Sequence, residues 1–376
     1  RMQHKTSKIL VANRSEIAIR VMRAATELGI RTVAIYSQED RFALHRFKAD
    51  ESYLVGAGRG PVEAYLNIED VLRLAREAKV DAIHPGYGLL SESPEFADAC
   101  AVANILFIGP TPDAMRALGN KVSARILAER AGAPVMPATG PLPRDLEGAQ
   151  AMAAEIGYPL MLKASWGGGG RGMRVIEDEA TLATELDAAR REAEAAFGND
   201  EVYLEKLVRR ARHVEVQIFG DSHGNIVHLH ERDCTMQRRN QKVVERAPAP
   251  YLNAEQRAGL HTAAVRIGRE ADYSNAGTVE FLMDVDSGEF YFIEVNPRIQ
   301  VEHTVTEVVT GIDLVKAQIR VTQGAKIGTA ESGMPVQEEI TVTGHAIQCR
   351  VTTEDPENNF IPDYGRLTAY RGATGF

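Results

Sequence analysis

Short apolar runs separated by amphipathic stretches set the pattern of the first third of the chain. Residues 9–12 read as a strand, residues 15–28 as a helix that Ser15 can cap and Gly29 ends, and residues 32–36 as the next strand. Residues 67–78 carry apolar positions three and four apart, the mark of a half-buried helix. Residues 82–84 form a strand running into Pro85-Gly-Tyr-Gly88, and residues 105–108 end in Gly109-Pro110. This alternation predicts an open parallel α/β domain. Ligands of such sheets gather at the carboxyl ends of the strands. Asn13-Arg14, His84-Pro85-Gly86-Tyr87 and Gly109-Pro110 stand there, and simple turn chemistry explains them equally well.

Further along, residues 120–131 read as a helix and residues 134–143 as a proline-rich link. A smaller α/β unit covers about 134–208. Strands at 214–219 and 226–229 follow, then a helix over 254–271 and a hairpin at 278–284 and 290–295. These pieces predict a lid carrying a glycine loop, hinged over a mostly antiparallel sheet.

The stretch Lys163-Ala-Ser-Trp-Gly-Gly-Gly-Gly-Arg-Gly172 interrupts that pattern. A lysine on a strand precedes five glycines in six residues, and Met173-Arg-Val-Ile176 then reads as a strand again. Glycines accept positive φ and let successive amides turn inward around an anion. A triphosphate suits such a cradle. A dinucleotide fold is excluded, because its glycine pattern must lead into a helix. Here the loop closes a β-hairpin. A Walker motif is excluded too, since Met173-Arg174 stands where Lys-Ser/Thr is required. The plain alternative is a flexible linker, and the patterned flanks speak against it.

The hairpin at 278–295 carries the sharpest constellation. With Asp286-Ser-Gly288 as a three-residue loop, Val285 faces Glu289 and Glu280 falls opposite Glu294. Facing carboxylates repel, and a divalent cation between them reverses the sign. Oxygen ligands suit Mg²⁺ or Mn²⁺ shared with substrate phosphates, and Asn296 can add a carbonyl. A longer loop that sends one glutamate to solvent is the bland alternative. Arg298 and Gln300 share a face if extended. The planar arginine fork matches a carboxylate-like anion, and Glu302 lies near it as a candidate base. Gln237-Arg-Arg-Asn-Gln-Lys242 is expected as a basic loop before the apolar, proline-containing run 243–250. His213 and Glu205 are weaker signals. Residues 205–208 form the return from the small unit, where a hinge can contact an adenine.

A net charge of −9 argues against a general nucleic-acid coat. No apolar run reaches the roughly 18 residues of a membrane span. The polar start, Arg1 to Lys8, reads as no targeting signal. Cys100, Cys234 and Cys349 are isolated and odd in number, which fits a reducing compartment such as a bacterial cytoplasm.

Taken in order, Ile83-His-Pro-Gly-Tyr-Gly88, the glycine loop, Arg232-Asp233, Gln237 to Lys242 and Phe292-Ile-Glu-Val-Asn-Pro-Arg-Ile-Gln-Val-Glu-His303 resemble the biotin carboxylase branch of the ATP-grasp superfamily. The resemblance covers the whole chain. Asn240 and Cys349-Arg-Val-Thr-Thr-Glu-Asp-Pro356 look more like pyruvate carboxylases than acyl-CoA carboxylases. The resemblance implies an α/β and α+β chain in three parts. An N-terminal pre-ATP-grasp domain would span 1–119 and an ATP-grasp domain 120–342, with its lid at about 134–208. The beginning of a C-terminal β-rich domain would span 343–376.

The implied activity is carboxylation of biotin from ATP, Mg²⁺ (or Mn²⁺) and bicarbonate through carboxyphosphate, the first half-reaction of pyruvate carboxylation. Lys121 and Lys163, with the amides of Gly167, Gly168, Gly169 and Gly170, would hold the phosphates. Glu205, Val208, His213 and Gln237 would hold the adenosine. Glu280, Glu294 and Asn296 match magnesium ligands. Lys242, Arg298, Gln300 and the Val301 backbone match a bicarbonate pocket with Glu302 as base. Tyr87 would lie near the biotin ring, and a further biotin-side arginine is expected past Phe376. The implied partners are a biotin carrier domain, a carboxyltransferase domain and further copies of the chain. The residues alone leave open an acyl-CoA carboxylase component, another ATP-grasp ligase, and a catalytically idle nucleotide-binding module.

Overall fold

The computed structural model describes residues 5–165, 173–239 and 241–372. The glycine loop, including Gly167, Gly168, Gly169 and Gly170, lies outside the described residues, as does Asn240.

The first part contains β1 (Lys8–Val11), α1 (Ser15–Glu27), β2 (Arg31–Tyr36), β3 (Glu51–Leu54), α2 (Ile68–Glu77), β4 (Ala82–His84), α3 (Pro94–Val102) and β5 (Leu106–Phe107). The strands form one parallel sheet in the order β3-β2-β1-β4-β5. Ile9 and Val11 enter one hydrophobic cluster and Leu10 another. Both faces of β1 are therefore covered, which is why it reads as an unbroken apolar run. Asn67 caps α2, accepting from the Asp70 amide. Ser15 does not cap α1. It is the first helical residue, at φ +58°, and Arg14 occupies the cap without a side-chain bond. The reason lies in Asn13, whose Nδ2 is committed to the carbonyls of Pro85 and Tyr87, both at 2.8 Å, while its Oδ1 accepts from the Arg14 amide. That clamp brings the ends of β1 and β4 together. Gly86 fits beside it at φ +65°, where a Cβ would come within 2.7 Å of Asn13 Nδ2.

Next come α4 (Pro112–Gly119), α5 (Lys121–Arg130), α6 (Leu146–Ile156), β6 (Leu160–Ala164), β7 (Arg174–Ile176), α7 (Glu179–Phe197) and β8 (Val202–Lys206). The strands flanking the glycine loop, β6 and β7, pair antiparallel as expected, and β8 completes a three-stranded sheet. This unit has its own core, built from Leu160, Leu162, Ile176, Leu182 and Leu204.

The largest sheet consists of β9 (Ala211–Gly220), β10 (Ile226–Arg238), β11 (Gln241–Ala247), β12 (Asn275–Asp284), β13 (Phe290–Asn296) and β14 (Ala346–Cys349). Its order is β13-β12-β9-β10-β11-β14, with every pairing antiparallel. The helix α8 (Ala254–Glu270) packs on it, and α9 (His303–Thr310) and α10 (Leu314–Thr322) follow β13. The basic segment 237–242 is no open loop. Gln237 pairs with Lys242 and Arg238 with Gln241 at the ends of β10 and β11, and Arg239 lies at φ +50°. Part of the following apolar run is thus a strand. The strand β14, expected in a separate C-terminal unit, instead forms the edge of this sheet. The short pair β15 (Glu354–Asp355) and β16 (Ile361–Pro362) stands outside it.

Candidate active site

Glu280 and Glu294 do face each other across β12 and β13. They get there by a different route from the one expected. Met283, Leu282 and Phe281 pair with Phe290, Tyr291 and Phe292, and the register then shifts so that Ile293 is passed over. The turn is one residue longer than expected, with Asp284 N–H donating to the Glu289 carbonyl and Gly288 N–H to the Asp284 carbonyl, both at 2.8 Å. Val285 does not face Glu289, because its amide donates to Arg210 instead. A longer turn and a bulge cancel, and the two glutamates meet.

On its other side, β12 brings Glu280 opposite Glu215 of β9, and Glu215 lies opposite Arg232 of β10. Glu294, Glu280, Glu215 and Arg232 therefore form one row across four strands. Arg232 and Glu215 are fully buried. The guanidinium donates from Nε to Glu215 (2.7 Å), from Nη1 to Gln217 (2.7 Å) and Thr306 (3.0 Å), and from Nη2 to Thr278 (3.1 Å) and Gln300 (2.9 Å). Every N–H of the arginine fork is used, which makes burial of its charge tolerable.

Lys242 stands over this row. Its Nζ donates to Glu215 (2.6 Å), Glu280 (2.7 Å) and Glu302 (2.8 Å). Burial acts to lower the ammonium pKa, but the three carboxylates outweigh it and raise the value. Burial likewise works to raise Glu280, yet His213 and Lys242 hold it below the usual carboxylate range. Glu294 goes the other way, raised by burial and by the neighbouring Glu280. No hydrogen bond or ion pair reaches Glu294 among the described residues, although Lys121 and Lys242 act on it through space. A repelled carboxylate beside an ionised one is what a hard divalent cation would satisfy, so these residues fit Mg²⁺. Asn296 donates from Nδ2 to Glu280 at 2.9 Å, and its Oδ1 accepts from Arg298 Nη2 at 3.3 Å.

Glu302, expected beside Arg298, instead accepts from Lys242 and from Arg350 Nη2 at 3.0 Å. Gln300 bridges Arg232 and Glu280, its Nε2 lying 3.3 Å from Glu280. Val301 lies half-buried between Gln300 and Glu302. The Nε of Arg298 is buried without a hydrogen-bond partner, and Glu92 Oε2 lies 3.4 Å away. An orphaned guanidinium N–H suits a small anion.

The nucleotide-side residues are spread over several elements. Lys121 is the exposed first residue of α5, and Lys163 is tied to Glu205 at 2.6 Å. Val208 lies just past β8, and Gln237 donates to the Cys234 carbonyl. His213 is brought to Glu280, with Nε2 3.0 Å from Oε2, rather than to Glu205. Tyr87 donates to Glu16 at 2.9 Å, and the charges of Arg350 and Glu302 both reach its hydroxyl. Sequence reasoning missed Glu215, Gln217 and Arg350. The alternation Val214-Glu-Val-Gln-Ile218 was the available signal for the first two, since it sets their side chains on the face opposite three apolar ones. Arg350 stood within the segment Cys349 to Pro356, but only as a mark of resemblance with no role attached.

Residues 5–115 match the family model for the biotin carboxylase N-terminal domain, and residues 120–330 match the carbamoyl-phosphate synthase L chain ATP-binding domain. The chain belongs to the biotin carboxylase family. Members are ATP-dependent ligases of the ATP-grasp fold that carboxylate biotin with bicarbonate. The chain is 53% identical to pyruvate carboxylase of Bacillus subtilis, a match covering 100% of this chain and 32% of that protein. A solved Rhizobium etli pyruvate carboxylase is 68% identical, with a TM-score of 0.88, over 99% of this chain and 33% of that one. The biotin carboxylase domain of Hydrogenobacter thermophilus 2-oxoglutarate carboxylase, solved as a dimer with MgADP, ADP and bicarbonate, is 45% identical. Its TM-score is 0.86, and the match covers 99% of this chain and 81% of that domain. The chain thus spans about a third of the length of the curated relatives it matches. The relatives include bacterial and mitochondrial proteins. Among the described residues no helix is long and apolar enough to cross a membrane.

Proposed function

We propose that this chain carries out the biotin-carboxylating half-reaction of a multidomain pyruvate carboxylase, with carrier and carboxyltransferase domains supplied elsewhere in the parent protein. Lys121, Lys163 and the glycine-loop amides bind the nucleotide phosphates, and Glu205, Val208, His213 and Gln237 bind the adenosine. Glu280, Glu294 and Asn296 hold Mg²⁺, which when bound neutralises phosphate oxygens during transfer. Arg298, Gln300, Val301 and Lys242 seat bicarbonate, and Glu302 takes its proton. The bicarbonate oxygen then attacks the γ-phosphoryl group, giving carboxyphosphate and ADP. Lys242 is placed to follow the charge, since it already touches carboxylates on both sides of the pocket.

The expectation of a biotin-side arginine past Phe376 is better met within the chain. Arg350 donates to Glu302, and its charge reaches Tyr87. In this reading, Tyr87 and Arg350 flank the biotin ring.

One observation carries the proposal: a row of Glu294, Glu280 and Glu215, the last two buried and bonded to Lys242, next to an arginine with a free buried N–H. The test is phosphate release from MgATP with and without bicarbonate, and with and without free biotin. Release that needs bicarbonate and rises with biotin is expected. Bicarbonate-independent release, or none, overturns the reading.

A further inference from the structure

Three histidines stand together outside the residues given roles above. His228 and His230 come from β10, and His261 comes from α8, which packs against it. Each offers one ring nitrogen, and the three atoms lie within 4.8 Å of one another. The centroids of His228 and His261 are 4.1 Å apart, and His230 lies 5.1 Å from each. The strand is bulged here. Its register against β9 shifts between His228 and Glu231, and His230 sits at φ +64°.

Hydrogen bonds select the nitrogen that two of the rings present. His261 Nε2 lies 2.6 Å from Glu231 Oε2, and a carboxylate accepts only from N–H, so Nδ1 keeps its lone pair. His230 Nε2 lies 3.1 Å from the Ile340 carbonyl oxygen, and the same logic leaves its Nδ1 free. The third ring, His228, accepts the His230 amide at Nδ1 over 3.1 Å and joins the other two by giving up that bond. Imidazoles whose second N–H is held by a carboxylate or carbonyl are oriented as metal ligands are. A cavity of about 410 Å³ opens on His228 and His261 and leaves room for solvent. Arg266 and Arg269 also line it. Glu338 lines it as well, and imidazole nitrogen favours late transition metals over hard cations.

We propose that His228, His230 and His261 form a binding site for a late first-row divalent cation of the zinc type, with solvent as the remaining ligand. The site is independent of the nucleotide site and of the function proposed for it.

The test uses the full chain, stripped with a chelator and titrated with Co²⁺ in excess Mg²⁺. One equivalent giving visible d–d bands, bleached by Zn²⁺, is expected. His261→Gln and His230→Phe should each weaken binding at least tenfold, while Glu280→Gln leaves it unchanged. Bands lost in Glu280→Gln but kept in the histidine variants would assign the metal to the carboxylates and overturn the proposal. If a histidine variant does not fold, the unaltered chain still decides. Absence of nitrogen-ligated bands, or no Zn²⁺-dependent rise in its Tm, overturns the site.

Discussion

Arg232 connects residues from four other segments, and its charge balances that of the equally buried Glu215. Arg232→Met should therefore cost about 3–5 kcal/mol, because it leaves a buried carboxylate short of its partner. Urea unfolding followed by circular dichroism measures this, and a loss below about 1 kcal/mol would mean that Lys242 alone suffices. Glu280→Gln should abolish bicarbonate-dependent ATP cleavage while much of the nucleotide affinity remains, read by phosphate release beside equilibrium binding. Unchanged turnover would remove the metal assignment. Glu302→Gln should lose the bicarbonate-dependent rate at every accessible pH, since a carboxamide cannot take the proton. At this level the candidate residues were largely legible, because Glu280, Glu294, Arg298, Gln300 and Glu302 cluster in a short stretch. Their partners were not. Glu302 binds Arg350 and Lys242, which lie 48 and 60 residues away.

The β12–β13 hairpin shows how a correct pairing can hide two irregularities. Counting from a three-residue turn reached Glu280 and Glu294, yet the real turn is longer and Ile293 bulges out, 40% exposed. Turn type and bulge trade off in ways that alternation does not reveal. Gly288 serves this turn at φ +75°, and a Cβ there would meet Gln256 Nε2 at 2.9 Å. Gln256 closes the capping box of α8 with Asn253. Gly288→Ala should therefore cost about 1–2 kcal/mol through backbone strain and a disturbed cap. The urea midpoint checks it, and an unchanged midpoint would show that the turn relaxes freely. Other elements were read well because their signals are local. The helices expected at 67–78 and 120–131 are present, and Asn67 and Asn120 cap them. Ser15 failed because Asn13 had already set the chain direction through contacts more than 70 residues away.

Buried histidines occur in both large parts of the fold, and one of them, His84, joins the parallel domain to the rest. His84 Nε2 lies 3.0 Å from Gln318 Oε1, and His303 Nδ1 lies 2.6 Å from the Gln300 carbonyl oxygen. Burial lowers both to about 4, and His45 shifts the same way. An unfolded chain takes up these protons near pH 6.5, before the folded one does. Stability is thus fully present above that pH and falls as pH drops towards about 4. Glu307, raised to about 7 chiefly by burial, has the opposite sign over part of the range. The net expectation is a urea midpoint that declines from about pH 7 to pH 5, with a shallower decline in His84→Asn. A flat profile would show that these rings are hydrated in the folded protein.

Periodicity, turn residues and motif order were enough to establish the parallel domain, the antiparallel sheet, the two-strand setting of the glycine loop and the family resemblance. All of these depend on neighbours within a few positions along the chain. Folding alone chose which charge meets which. The row from Glu294 to Arg232, the three carboxylates under Lys242 and the reach of Arg350 to Glu302 join distant segments. Electrostatic partnership depends on separation in space and on burial, and neither is written in the spacing of residues along a strand.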